Sequence, residues 1–178
     1  HGLPGLELSA GSLGQGLSVA VGLALAAKID RAPWRVFSIH GDGELQEGSI
    51  WEAAMSAAHH KLNNLIALVD RNDCQIDGRT SEVMGLEPLR AKWESFGWRV
   101  LECDGNDIAQ LVETFEVAEH GDVKPTVIIA RTLMGYGVKS IQDDYRWHGK
   151  APSPTEAEKF LDELHAHYLS LQNGTVQE

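Results

Sequence analysis

The residues best suited to chemistry lie between Gly41 and Asn72. The first part reads Gly41-Asp42-Gly43-Glu44-Leu45-Gln46-Glu47-Gly48 and the last reads Asp70-Arg71-Asn72. An apparent helix and then an apolar run fill the interval. This spacing suits a β-α-β unit, which returns the chain to the same edge of a parallel sheet. A carboxylate and an amide oxygen then converge at the carboxyl ends of neighbouring strands, where open α/β sheets bind ligands. Asp42 and Asn72 beside a glycine-rich turn suit a hard divalent cation holding a phosphorylated ligand. The flanking Gly41 and Gly43 let the backbone turn tightly and approach phosphate, and the N–H groups at the following helix start can donate to it. Taken singly, Asp42 also reads as a plain turn aspartate and Asn72 as a residue ending a strand.

The elements that must position these residues follow from short apolar runs. Residues 35–40, 65–70, 98–103 and 126–131 are rich in Val, Ile or Leu, which predicts strands buried on both faces. Helices are expected over 13–28, 49–60, 87–96, 107–119 and 155–171. Gly97 and Gly121 serve as stops, and Pro154-Thr155 followed by acids serves as a start. Alternating strands and helices predict an α/β fold, a doubly wound parallel sheet with helices on both faces. The whole chain reads as one domain. Residues 132–154 hold Gly135, Gly137, Gly149, Pro152 and Pro154 among Tyr136, Tyr145 and Trp147, and are expected to form a loop covering a ligand. The polar tail after Leu171 is expected to fray.

Composition narrows the function. The 178 residues carry a formal net charge of −11, which argues against a nucleic-acid partner. A bridging cation reverses that sign locally, because a unit charge pair about 4 Å apart is worth roughly 4 kcal/mol at an effective dielectric near 20. No apolar run has the length of a membrane span, and no basic stretch precedes the Ala- and Gly-rich residues 17–29, so neither a membrane anchor nor a secretory signal is expected. Cys74 and Cys103 make neither a metal spacing nor a disulfide framework, and a reduced cytoplasmic setting is the simplest reading. His59-His60 and the His165/His167 pair do not share helix faces, so zinc is not expected. Ser9, Ser12 and Ser18 lack a base, and Gly14-Gln15-Gly16 lacks the Gly-Lys-Ser/Thr of a P-loop. Glu44 reads as a solvated turn acid. His1 receives no role.

Gly-Asp-Gly followed by Asn resembles the thiamine diphosphate signature, in the version found in transketolases. Gly11 with Leu13-Gly14-Gln15-Gly16 agrees, as do Leu45-Gln46-Glu47-Gly48 with Trp51-Glu52-Ala53, Gln75-Ile76-Asp77-Gly78, and Trp147-His148-Gly149-Lys150-Ala151-Pro152. The resemblance covers nearly the whole chain. It implies a thiamine diphosphate-dependent enzyme that moves a two-carbon ketol unit from a ketose phosphate to an aldose phosphate. Pentose phosphates are the default sugars by analogy.

The resemblance also implies residue roles. Asp42, Asn72 and the Cys74 carbonyl are the Mg²⁺ (or Ca²⁺) ligands, with diphosphate oxygens and water completing the shell. Gly11 and Leu13 border the aminopyrimidine, Ile76 packs on the cofactor rings, and Gly41 and Gly43 approach the diphosphate. His148 contacts the diphosphate near the reacting carbon and can assist proton transfer. Glu47 and Glu52 lie toward a subunit interface, linked to an activating glutamate from another domain; as acids at a helix start they are also stabilised by the dipole, by about 0.3–1 kcal/mol each. Arg71 stands where the wider signature often has a second Asn, a minor departure because that position is not a ligand.

The resemblance enters partway through the family's domain and ends before its pyrimidine-binding domain. It therefore implies the N-terminal subunit of a split-gene transketolase, or a fragment of a longer chain, working with a pyrimidine-domain partner in a hetero-oligomer such as a dimer of heterodimers. The alternatives are a deoxyxylulose phosphate synthase-like enzyme, the E1 α-type subunit of a 2-oxoacid dehydrogenase, or a non-catalytic cofactor-binding partner. Leu45-Gln46-Glu47-Gly48 and Trp147-His148-Gly149 argue against both alternative enzymes.

Overall fold

A computed structural model describes residues 4–120 and 123–172. His1, the expected stop at Gly121 and the tail beyond Gln172 lie outside the described residues. Four strands form one parallel sheet in the order β1 (Val36–Gly41), β2 (Leu65–Arg71), β6 (Thr126–Arg131), β5 (Arg99–Asp104). The predicted parallel α/β sheet is present, each strand within one residue of its expected limits. β2 and β6 are central and almost wholly buried, as their unbroken apolar runs require.

Helices α1 (Gln15–Ile29) and α2 (Gly48–His59) pack on one face of the sheet. In α1 the buried residues are Leu17, Ala20, Val21, Ala24 and Ala27; in α2 they are Ile50, Ala53, Ala54 and Ala57. These spacings put each set on one helical stripe, and the alanines let the two helices approach closely. Helix α4 (Leu89–Ser95) adds Trp93 to the same core. Trp93 stacks with Trp51 and Trp98, and the Trp98 indole N–H donates to the Ala54 carbonyl at 2.9 Å. Pro88 delays the start of α4 past the expected Glu87, since a proline pushes the preceding residue out of the helical region.

The opposite face is thinner. Among the described residues it is covered by α5 (Ile108–Glu119), whose Leu111 and Phe115 pack against Ile66, Ile128 and Ala130. On edge strand β1, Phe37 and Ile39 point to this side, and Ile39 is 74% exposed.

Three small elements were not expected. A hairpin of β3 (Cys74–Gln75) and β4 (Gly78–Arg79) follows β2, and a single helical turn α3 (Thr80–Val83) follows the hairpin. Runs this short leave no periodic signal. Residues 132–154 are the expected loop, with one 3-10 turn at Tyr145–Trp147. Helix α6 (Pro154–Gln172) follows it and buries none of its residues fully.

Candidate functional site

Strand register decides what meets Asp42. Gly41 pairs with Asp70, so the next residues along β1 and β2, Asp42 and Arg71, face one another. Asp42 is 1% exposed. Its Oδ2 accepts from the Arg71 guanidinium at 2.7 Å and from the Asp73 backbone N–H at 2.6 Å, and its Oδ1 accepts from the Thr80 hydroxyl at 3.1 Å. A carboxylate removed from water requires such partners. Arg71 and Thr80 therefore belong to the site, and sequence reasoning missed them. Register was the available signal for Arg71; for Thr80 there was none, because the hairpin that delivers it was unforeseen.

Asn72 stands just beyond β2. Its Oδ1 accepts from the Cys74 N–H at 2.9 Å and its Nδ2 donates to Asp70 at 3.2 Å. Thr132 at the end of β6 also donates to Asp70. A cleft of about 410 Å³ opens here at the carboxyl ends of the strands, lined by Ile39, Asp70, Asn72, Asn106, Thr132 and Leu133. Asn72 reaches this cleft and Asp42 does not. Cys74 is buried, its thiol 3.4 Å from an Arg79 nitrogen, and burial pushes that thiol above its ordinary range.

The turn after β1 is fastened to the turn before α1. Glu44 accepts from the Gly14 N–H at 2.9 Å and the Gly41 N–H at 3.3 Å. His40 Nδ1 lies 3.3 Å from the same carboxylate, close enough for charge pairing but not aligned as a hydrogen bond. Burial raises the Glu44 carboxyl, but the His40 imidazole and the Gly14 N–H outweigh it and hold the group below the ordinary value. Glu44 is thus a structural tie and not the solvated acid expected from sequence. The Gly14 carbonyl accepts from the Ser49 hydroxyl at 3.0 Å, completing the link to α2.

The remaining expected residues are less engaged. Leu13 and Ile76 are 55% and 72% exposed, and Gly11 is also exposed. Gly43 lies under Gln75, which is held by Gln46 at 2.9 Å. Glu47 and Glu52 are both exposed near the start of α2. His148 is exposed after the 3-10 turn, and no described contact joins it to Asp42 or Asn72. The loop carrying it is held by Arg79, which grips the Asp143 carboxylate at 2.5 and 3.0 Å and the Asp143 carbonyl at 2.7 Å.

The donors fit a hard cation in kind, a buried carboxylate and an amide oxygen on adjacent strand ends, while the Arg71 guanidinium occupies Asp42 Oδ2 and competes for it. Among the described residues no three His, Cys, Asp or Glu side chains cluster as a metal site. The expected set needs no such cluster, since it uses one carboxylate.

Known proteins resemble this chain closely. A subunit of the apulose-4-phosphate transketolase from Actinobacillus succinogenes is 48% identical over 164 residues, 92% of this chain and 59% of the relative. A 6-deoxy-6-sulfo-D-fructose transketolase subunit from a Clostridium species is 47% identical over 133 residues, 75% of this chain and 48% of the relative. The chain therefore spans about half to three-fifths of these curated relatives. The crystal structure of transketolase from Campylobacter jejuni superposes with a TM-score of 0.82 at 30% identity, over 92% of this chain and 26% of that one. The family model described as "Transketolase, thiamine diphosphate binding domain" matches residues 1–164, and the chain belongs to that family.

Proposed function

We propose that this chain supplies the diphosphate- and metal-binding half of a transketolase that passes a two-carbon ketol unit from a ketose phosphate to an aldose phosphate. The observation that carries the reading is Asp42, a buried carboxylate just past the end of β1, with Asn72 just past the end of the adjacent strand. Asp42, Asn72 and the Cys74 carbonyl would hold Mg²⁺ or Ca²⁺. The Gly41 turn would approach the diphosphate, with the N–H groups of Gly43 and the helix start after it donating, and Gly11, Leu13 and Ile76 would border the rings. The exposure of Leu13 and Ile76 supports this, because each is an apolar side chain without protein cover.

Thiamine diphosphate, when bound, supplies the nucleophilic carbon that breaks the carbon–carbon bond of the ketose. The chain's own part is positioning. Its carboxylate and amide would hold the metal, which would supply the positive charge that the diphosphate needs. His148 would move a proton near the reacting carbon as the 132–154 loop covers the site. Glu47 and Glu52 would face a pyrimidine-domain partner, from which the activating glutamate comes, in a hetero-oligomer built as a dimer of heterodimers. The relatives' names, which make each of them one subunit of a transketolase, support a partner, and their differing sugars leave pentose phosphates as the default by analogy alone. Two buried free thiols, Cys74 and Cys103, support a reducing cytoplasmic compartment. Among the described residues no helix is long and apolar enough to cross a membrane.

The test is ketol transfer from a ketose phosphate to ribose 5-phosphate with Mg²⁺ and thiamine diphosphate. It is run for the chain alone, with a pyrimidine-domain partner, and with Asn72→Ala plus that partner. Turnover in the wild-type mixture only is expected. Failure of the wild-type mixture to bind the cofactor would sink the reading.

A further inference from the structure

Arg71 is not used by the proposed chemistry, yet it sits at the centre of the site. Its guanidinium lies 2.7 Å from Asp42 Oδ2, 3.2 Å from Asp73 Oδ1 and 3.4 Å from Glu87 Oε1. Asp42 is buried, Arg71 largely so, and Glu87 is exposed. Burial lowers the guanidinium's proton affinity, but the bonds to Asp42 and Asp73 outweigh burial and raise it, so it stays charged. A divalent ion on Asp42 needs a lone pair of that carboxylate, and it cannot share the spot with a second cation without strong repulsion. Asp73 shares Nη1 with Asp42, and Glu87 touches the other nitrogen, Nη2, so Asp73 and Glu87 already offer the same guanidinium a second carboxylate seat.

We propose that Arg71 is a built-in counter-ion for the metal site. It neutralises Asp42 in the metal-free protein and moves onto Asp73 and Glu87 when the metal and diphosphate arrive. The proposal rests on reading Asp42 as a metal ligand. Arg71 then has opposite effects on the two states. It stabilises the metal-free fold, because an uncompensated buried carboxylate is destabilising. It weakens metal binding, because the metal must displace it. An arginine that only braced the fold would not show these opposed signs.

The experiment uses the complex of this chain with its pyrimidine-domain partner. Mn²⁺ binding is read by electron paramagnetic resonance, binding of Mg²⁺ with thiamine diphosphate by calorimetry, and metal-free stability by thermal unfolding. Arg71→Gln is expected to melt lower without metal and yet bind Mn²⁺ about tenfold tighter, equivalent to about 1.4 kcal/mol. Arg71→Lys keeps the charge and is expected to retain affinity near wild type. Glu87→Gln, at an exposed position, is expected to fold normally and bind Mn²⁺ more weakly, because the second seat has lost charge. Unchanged or weaker binding in Arg71→Gln, with wild-type binding intact, overturns the role of Arg71 and leaves Asp42 as ligand. If Arg71→Gln fails to fold, equal affinity of Glu87→Gln and wild type overturns it instead. Metal binding that Asp42→Asn leaves unaltered overturns both readings, because the metal is then held elsewhere.

Discussion

Gly14 shows how much one residue fixes at this site. Its backbone adopts φ +84°, it donates to Glu44, and it accepts from Ser49. A β-carbon there would stand 2.5 Å from the Ser49 hydroxyl oxygen and 2.7 Å from the Glu47 β-carbon. Left-handed backbone costs an L-residue about 1–2 kcal/mol, and overpacking adds about 1–3 kcal/mol. Gly14→Ala is therefore expected to lose roughly 2–5 kcal/mol in chemical denaturation. A loss below about half a kcal/mol would mean that the α1 and β1 turns are not fastened through this residue. The sequence offered Gly14 as part of a motif but not this role, because the contact joins turns separated by a whole helix and a strand. Arg71 is parallel: its identity was plain, and its meaning appears only once β1 and β2 are in register.

At the scale of elements, the sheet was the legible part. β2 and β6 read clearly because both faces are buried, so their apolar runs are unbroken. The β3–β4 hairpin and α3 were illegible because their order comes from side-chain ties and not from periodicity: Thr80 bonds Asp42, and Ser81 donates to Asp73. The same hairpin anchors the 132–154 loop through Arg79 and Asp143. Hydrogen bonding to Asp143 holds the Arg79 guanidinium firmly charged. A partly exposed bidentate pair is worth up to about 1 kcal/mol. Arg79→Ala should thus leave the global melting temperature nearly unchanged while speeding amide exchange in residues 134–147; exchange matching wild type would show that the loop is held by other contacts.

A second tie joins α4, β5 and β6, since Glu102 accepts from Arg90 at 2.7 Å and from Arg131 at 3.1 Å. Arg90 is the main cause that lowers the Glu102 carboxyl, burial opposes it, and Arg131 adds to the lowering. A carboxyl lowered in the fold stabilises above its unfolded value, near about 4.3, and loses that contribution as pH falls through its folded value. Wild type should melt above Glu102→Gln at about pH 7, and the gap should close as the pH drops below about 4. A gap independent of pH would assign the effect to packing.

The whole molecule is lopsided. One face of the sheet carries α1, α2 and α4 over the larger core, while α5 alone covers the other among the described residues. That asymmetry was not readable in the sequence, where helices were expected on both faces without weight. It leaves Phe37 50% and Ile39 74% exposed on one face of an edge strand, and elsewhere Leu13 and Ile76 are exposed as well. Apolar side chains grouped on one exposed face often mark a surface that a partner covers. A partner subunit that completes the cofactor site would bury part of this surface. Anilinonaphthalene sulfonate emission with the chain alone should accordingly fall when the pyrimidine-domain partner is added, and fall further with Mg²⁺ and thiamine diphosphate as Leu13 and Ile76 are covered. Emission indifferent to the partner but quenched by the cofactor would assign the exposed surface to the ligand alone and remove this argument for a hetero-oligomer.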